Sequence, residues 1–379
     1  MSQSDFVRRL DMGGSALYGE RTRWQRIHVD LTLLLLLLAL CAAGLFVLYS
    51  ASGQSEYYVR RQAMWMGGGL VAMLFVAQLT PRFLERWAVL PYAVGVLLLV
   101  AVLWLGIEAK GAQRWLDLGV IRFQPSEILK LAGPLMLASY LSKRRLPPVF
   151  RHVFWSLVLL LLPAVLIVKQ PDLGTALLIL AAGLFVLFLA GLPKRYMIGA
   201  LGAAMVLAPL AWFYLLHDYQ KQRIITLLDP QADKLGAGWN IIQSTTAIGS
   251  GGVGGKGWIQ GTQSQLDFLP ESHTDFIIAV LAEEFGLVGI TLLLSLYLLI
   301  VARGLLISLH AQSMFGRLLA GSITLTFFVY VFVNMGMVSG VLPVVGVPLP
   351  LVSYGGTSIV TLLSGFGILM AISTERKRT

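Results

Sequence analysis

The chain has 379 residues, 57% of them hydrophobic and 13% charged, with a mean hydropathy of +0.77 and a formal net charge of +10. That composition excludes a soluble enzyme and indicates an all-α polytopic membrane protein, since backbone in hydrocarbon must satisfy its own hydrogen bonds and apolar runs of span length do so as helices. The excess of Lys and Arg reads first as topogenic, holding cytoplasmic loops inside, and second as affinity for anionic lipid heads or a phosphate-bearing substrate. The basic residues are scattered among apolar runs with no compact patch, which argues against nucleic acid as a partner.

Residues 1–28 are polar and carry Arg8, Arg9, Arg21, Arg23 and Arg26. They lack an apolar core with a small-residue cleavage site, so a cytoplasmic tail is expected rather than a signal peptide. Ten apolar runs follow, at about 29–50, 63–80, 87–107, 126–142, 152–169, 173–191, 196–216, 275–302, 315–338 and 350–372. The stretch 152–191 is divided only at Lys169-Gln170-Pro171-Asp172, where proline interrupts a helix. With the N-terminus inside, the larger share of the 29 Lys and Arg falls on inside segments. Ten spans then return the C-terminus to the cytoplasm and leave 217–274 as a large extracytoplasmic loop between spans seven and eight. The expected organisation is a tail at 1–28, a membrane domain at 29–372 and a tail at 373–379. The single cysteine, Cys41, lies inside the first run and cannot form an intrachain disulfide.

Two outside loops are chemically rich. The loop 108–125 holds Arg114, Trp115, Asp117 and Arg122, and the loop 217–274 is glycine-dense between 236 and 261, with Trp239 and Trp258. Loops this long are uncommon unless functional or disordered, although an indole near a span also suits the bilayer interface. Residues 249–257, GSGGVGGKG, superficially resemble a phosphate-binding P-loop. They fail its pattern, because Ser250 stands where the first glycine belongs and Gly257 where a Ser or Thr would reach magnesium. A flexible, re-entrant or substrate-covering loop is the better expectation.

Residues 124–130, QPSEILK, open the fourth run. Ser126 can cap the helix, Glu127 suits the positive end of its dipole, and Glu127 and Lys130 share a helix face. They read equally as a local ion pair or as a cation at the mouth of a polar cavity. Asp172 follows Pro171 at another helix start, where N-capping is the ordinary role. Arg60 and Arg61, placed just outside the second span, can snorkel to head groups. His273-Thr274-Asp275 precedes the eighth run. Thr274 or Asp275 can cap that helix, but a carboxylate partly withdrawn from water also becomes a better base. His273 and Asp275 alone are too few ligands for a metal site, so none is assigned. Glu283 and Glu284 lie two turns further along; Glu284 needs a cationic partner if it faces the bundle interior. Residues 342–358, LPVVGVPLPLVSYGGTS, form a proline-broken entry to the last span, and such backbone must be buried in protein or line a cavity.

Together PESHTDFIIAVLAEEFG, QPSEILK, QPDLGT and LPVVGVPLPLVSYGGTS, in this order over nearly the whole chain, resemble the SEDS family (shape, elongation, division and sporulation), the group of RodA, FtsW and SpoVE. LAEE after HTDFIIAV, and VVGVPLPLVSYGG, are closer to the RodA branch of Gram-negative bacteria. Thr357 stands where serine is more usual after SYGG. The resemblance implies a peptidoglycan glycosyltransferase polymerising lipid II on the outer face of the inner membrane. It further implies a class B penicillin-binding protein as transpeptidase partner within the rod-shape elongation complex, alongside that complex's other membrane proteins. The family's essential acid falls on Asp275, and its other important positions on Arg61, Arg114, Trp115, Glu127, Lys130 and Asp172; His273 joins the substrate-binding candidates. No cofactor is assigned, with a divalent cation (Mg or Mn) beside the diphosphate left as an option. Two rival functions remain at this level, a lipid II flippase and a non-catalytic scaffold of the elongation complex.

Overall fold

The computed structural model describes residues 27–109, 112–117, 122–214, 218–233, 236–265 and 271–375. Most of the expected tail at 1–28 and the last four residues of the tail at 373–379 therefore lie outside the described residues. In chain order the principal elements are α1 (Leu31–Ala51), α2 (Glu56–Ala77), α3 (Pro81–Trp87), α4 (Val89–Leu105), β1 (Ile107–Ala109), β2 (Ala112–Asp117), β3 (Arg122–Phe123), α5 (Ser126–Ser142), α6 (Phe150–Val168), α7 (Leu173–Leu189), α8 (Lys194–Tyr214), α9 (Asp218–Leu228), α10 (Ala237–Gly251), α11 (Ile277–His310), α12 (Met314–Val338) and α13 (Thr357–Ser373).

Each of the ten apolar runs holds one long helix, namely α1, α2, α4 to α8 and α11 to α13. By length and composition alone α1, α6, α11 and α12 reach the span criterion among the described residues, and α2 joins α3 through a 95° bend. The 17-residue helices α4, α5, α7 and α13 reach about 25 Å at 1.5 Å per residue, the short end of what a bilayer core needs. The central helix is α12, with 67% of its apolar window buried, against 28% for α11. It packs against α5, α7, α11 and α13, while α1 lies on α11 and α2 on α13.

At one end of the bundle Asp30 caps α1 by accepting from the Leu33 amide at 3.1 Å. Its carboxylate also takes Arg303 of α11 at 2.6 Å and Ser373 of α13 at 2.7 Å. The first and last helices therefore meet at the same end, as an even number of crossings requires.

The structure departs from the sequence expectations at four places. The loop 108–125 contains a small antiparallel ribbon in the order β1-β2-β3, with Ile107 opposite Trp115 and Leu116 opposite Phe123. The segment 217–274 carries α9 and α10 rather than irregular chain. Helix α2 begins at Glu56, so Arg60 and Arg61 sit within its first two turns rather than outside it. Ser126 caps nothing: Pro125 occupies the N-cap, and the buried Ser126 hydroxyl has no partner among the described residues.

The glycine-rich segment has a structural role of its own. Helix α11 is broken at Gly286, where φ is +60°. A break in a span strips hydrogen-bond partners from its flanking backbone groups. Residues 252–257 replace them. The Lys256 and Gly257 amides donate to the Glu283 and Glu284 carbonyls, both at 3.0 Å, and the Leu287 and Val288 amides donate to the Gly252 and Val253 carbonyls at 3.0 and 3.2 Å. A Cβ at Gly255 would strike the Glu284 carbonyl, and one at Gly251 the Ala282 carbonyl, which explains small residues here better than phosphate binding does. Lys256 also provides a cation for Glu283, though not for Glu284, where a cationic partner is the expectation. It pairs with fully buried Glu283 at 2.7 Å, beside the Thr262 hydroxyl at 3.1 Å and the Gln263 amide at 3.0 Å. Glu284 accepts instead from the Ser50 hydroxyl and the Ile259 amide.

Candidate active site

A cavity of about 1020 Å³ opens between α2, α5, α12, α13, the ribbon and the proline-rich strap before α13. Arg61, Arg114, Trp115, Glu127, Lys130 and Asp172 all line it. Residues distant in sequence thus converge because α2, α5, β2 and the start of α7 all turn polar positions towards the same space.

The floor is built from α5 and α12. Lys130 pairs with Glu127 at 2.6 Å, their side chains 13% and 6% exposed, and the ammonium lies 5.5 Å from the centre of the Tyr330 ring. The i,i+3 spacing makes the pair geometrically easy, but burying two charges costs several kcal/mol per ion before their attraction offsets it, so stability is a poor reason for its presence.

One wall comes from the ribbon and the start of α7. Asp172 does cap α7, its Oδ1 accepting from the Thr175 amide at 3.2 Å, while Oδ2 takes the Gln124 amide nitrogen at 3.0 Å. Arg114 reaches across from β2, donating to the Gln170 carbonyl at 3.2 Å and to the Pro171 carbonyl, with its Nε 4.0 Å from Asp172. Trp115 lies in the same strand and faces the cavity, so lining it, rather than anchoring at the bilayer surface, is its observed place. On the rim, Arg61 donates to the Tyr57 hydroxyl at 2.8 Å.

Neither Asp275 nor His273 is among the cavity-lining residues; both lie beside the strap, whose Tyr354 amide donates to the His273 carbonyl at 2.9 Å. Helix α11 starts two residues after Asp275, and Phe276 rather than Thr274 or Asp275 occupies the N-cap position. The Asp275 carboxylate abuts Gly346, which lines the cavity: a Cβ there would sit 3.5 Å from Oδ2. Gly346 also has φ of +74°, a conformation that favours glycine. The His273 ring packs on Tyr58 and Tyr354, with centroids 4.9 and 6.1 Å apart. The strap is laced to α2, where Gln62 donates to the Ser353 carbonyl at 2.9 Å and accepts from the Gly355 amide at 3.2 Å.

Trp65 and Tyr330 also line the site and lie in no motif that singles them out in sequence, whereas Tyr354 belongs to the 342–358 motif. Glu127 is committed to Lys130 and Asp172 to the α7 cap and Gln124, and no cluster of three potential ligands occurs among the described residues.

The family model of the FtsW, RodA and SpoVE cell cycle proteins matches residues 30–378. The chain is 55% identical to the peptidoglycan glycosyltransferase MrdB of Escherichia coli K12 over 362 residues, covering 94% of this chain and 97% of the relative. It is 37% identical to a probable peptidoglycan glycosyltransferase FtsW of Geobacter metallireducens, covering 92% and 96%. A solved chain described under structural coordination of polymerization and crosslinking by a peptidoglycan synthase complex superposes with a TM-score of 0.81 at 34% identity, covering 91% of this chain and 97% of that one. The crystal structure of Thermus thermophilus rod shape determining protein RodA superposes at 0.70 with 31% identity, covering 92% and 98%. An integral membrane bundle with these motifs in this order, matched along almost its whole length, belongs to the FtsW/RodA/SpoVE family.

Proposed function

We propose that the chain is a peptidoglycan glycosyltransferase that polymerises lipid II into glycan strands for cell elongation, with Asp275 as general base. The observation that carries this reading is the cavity itself. Arg61, Arg114 and Lys130 line a space of about 1020 Å³, a volume at the upper end of ligand pockets and suited to a lipid-linked saccharide, and the Asp275 carboxylate lies next to the lining residue Gly346.

The donor is a glycan on undecaprenyl diphosphate, and the acceptor is the 4-hydroxyl of the GlcNAc of lipid II. Attack of that oxygen on the donor's anomeric carbon forms the new glycosidic bond with inversion as the bond to the diphosphate breaks. The hydroxyl proton passes to Asp275, which is needed because the alcohol is far too weak an acid to ionise near neutral pH. The leaving diphosphate gains negative charge, which Lys130, Arg61 and Arg114 offset from positions held by Glu127, Tyr57 and the 170–171 carbonyls. Trp115 and Asp172 shape the wall, and His273 with Tyr354 bounds the acceptor side. The apolar part of the lining, from Leu131, Phe327 and Phe366, suits the first isoprene units.

The topology that fits is one membrane domain at 29–372 with both termini cytoplasmic and the cavity facing the periplasm. A class B penicillin-binding protein is the fitting partner, since a polymerase needs a transpeptidase to crosslink its strands. A flippase is less well supported: broken helices in transporters expose their ends to cargo, whereas the backbone freed at Gly286 is taken up by residues 252–257. The test is labelled lipid II given to the purified protein with its transpeptidase partner, and separately enclosed in vesicles. Polymer on gels is expected. Lipid II crossing the bilayer with no polymer formed would favour transport.

A further inference from the structure

Resting on the reading of Asp275 as base, we propose that Asn334 and Ser353 are positioning residues that hold Asp275 against the cavity by cross-bracing its backbone to the strap. The residues of the HTD segment present three successive carbonyls, and each accepts a hydrogen bond from outside its own helix. The Tyr354 amide donates to His273 at 2.9 Å, the Ser353 hydroxyl to Thr274 at 2.5 Å, and the Asn334 side-chain amide to Asp275 at 2.9 Å.

Both side chains are bivalent. The Asn334 nitrogen also donates to the Val347 carbonyl at 2.8 Å, and the Ser353 oxygen also accepts from the Leu349 amide at 2.8 Å. Each therefore ties the segment carrying Asp275 to the strap carrying Gly346, the residue its carboxylate abuts. Asn334 is 0% exposed and Ser353 2%. Two carbonyls facing one group leave no choice of amide orientation, since the flipped form would turn an oxygen towards both. That orientation strands the Asn334 Oδ1, which is buried without a partner among the described residues. A side chain kept for stability alone would not leave a buried acceptor bare near the end of an apolar helix. The brace also answers a mechanical need. Helix α11 breaks at Gly286, so the short segment 277–285 ahead of the break is a poor anchor by itself, and a base displaced by about 1 Å can lose roughly 100-fold in rate.

The experiment measures kcat and KM for lipid II polymerisation by the full chain with its transpeptidase partner, in Asn334→Leu, Asn334→Asp, Ser353→Ala, Ser353→Thr and Asp275→Asn, with monodispersity and melting temperature recorded for each. Asn334→Leu and Ser353→Ala should lower kcat about 10- to 100-fold with KM within about twofold, and shift the acid limb of the pH–rate profile. Ser353→Thr, which keeps the hydroxyl, should stay within a few-fold of the parent. Asn334→Asp keeps the shape without the paired donors and should behave like Asn334→Leu. It carries the test with Ser353→Ala if the leucine variant does not fold. Folded Asn334→Asp and Ser353→Ala proteins with the parent kcat, or losses confined to KM, would overturn the brace. If Asp275→Asn itself polymerises normally, the fault lies with Asp275 as base. If Asp275→Asn is inactive while the brace variants are not, only the brace fails.

Discussion

Two buried lysine–carboxylate pairs stand in this bundle at nearly the same distance, Lys130–Glu127 at 2.6 Å and Lys256–Glu283 at 2.7 Å. Their surroundings differ. The Glu283 carboxylate also receives the Thr262 hydroxyl and the Gln263 amide, and its lysine comes from the loop that mends the break in α11. Among the described residues the Glu127 carboxylate has Lys130 as its one hydrogen-bond partner, and both open on the cavity. A buried pair is weak evidence for stability by itself. What separates the two is what else the carboxylate meets: other protein groups for Glu283, and for Glu127 the open space of the cavity.

The comparison breaks most visibly under substitution of both members of a pair. Glu127→Gln with Lys130→Met should leave a folded, monodisperse protein and cut polymerisation roughly 100- to 1000-fold, the scale for removing a preorganised group that stabilises developing charge. Gel quantitation of glycan product per folded molecule checks this. The reverse holds at the other pair. Lys256→Ala should destabilise the protein by about 3 kcal/mol, the low end for breaking a buried pair because the lysine is 28% exposed. The rate per folded molecule should remain within about twofold. Thermal unfolding beside the same gel assay separates the two quantities, and a large rate loss without destabilisation would join the second pair to the site. A smaller effect is expected from Arg114→Lys. Lysine keeps the charge but loses the fork that grips the 170 and 171 carbonyls. A rise in KM of about tenfold, with kcat changed less, would place Arg114 in binding the substrate before the transition state.

The ten helices are legible in the sequence because hydrocarbon leaves the backbone no alternative and hydropathy reports it directly. The Asp172 cap and the Glu127–Lys130 pair are legible for a different reason, since both are local and set by spacings of three residues. What lies hidden is non-local. Nothing in residues 251–257 announces that their amides meet carbonyls some thirty residues later, and the glycines there read as easily for flexibility as for close backbone contact. Arg61 is placed one helix turn wrongly because the first residues of α2 are polar and hydropathy registers only its apolar part. Asn334 carries one faint signal, a lone amide near the end of the ninth apolar run, where polar groups are expensive. Its partners become visible only once the strap and the HTD segment are seen together.

The most direct measurement is polymerisation of labelled lipid II by the full chain with its transpeptidase partner, comparing the parent with Asp275→Asn at equal membrane levels. Asparagine keeps the size and polarity of the side chain and removes its basicity. A ladder of glycan strands from the parent, reduced at least about 100-fold in the variant, is the expected result for a general base. An undiminished ladder from folded Asp275→Asn would contradict the role of Asp275 and move the search for the base to another group on the cavity wall.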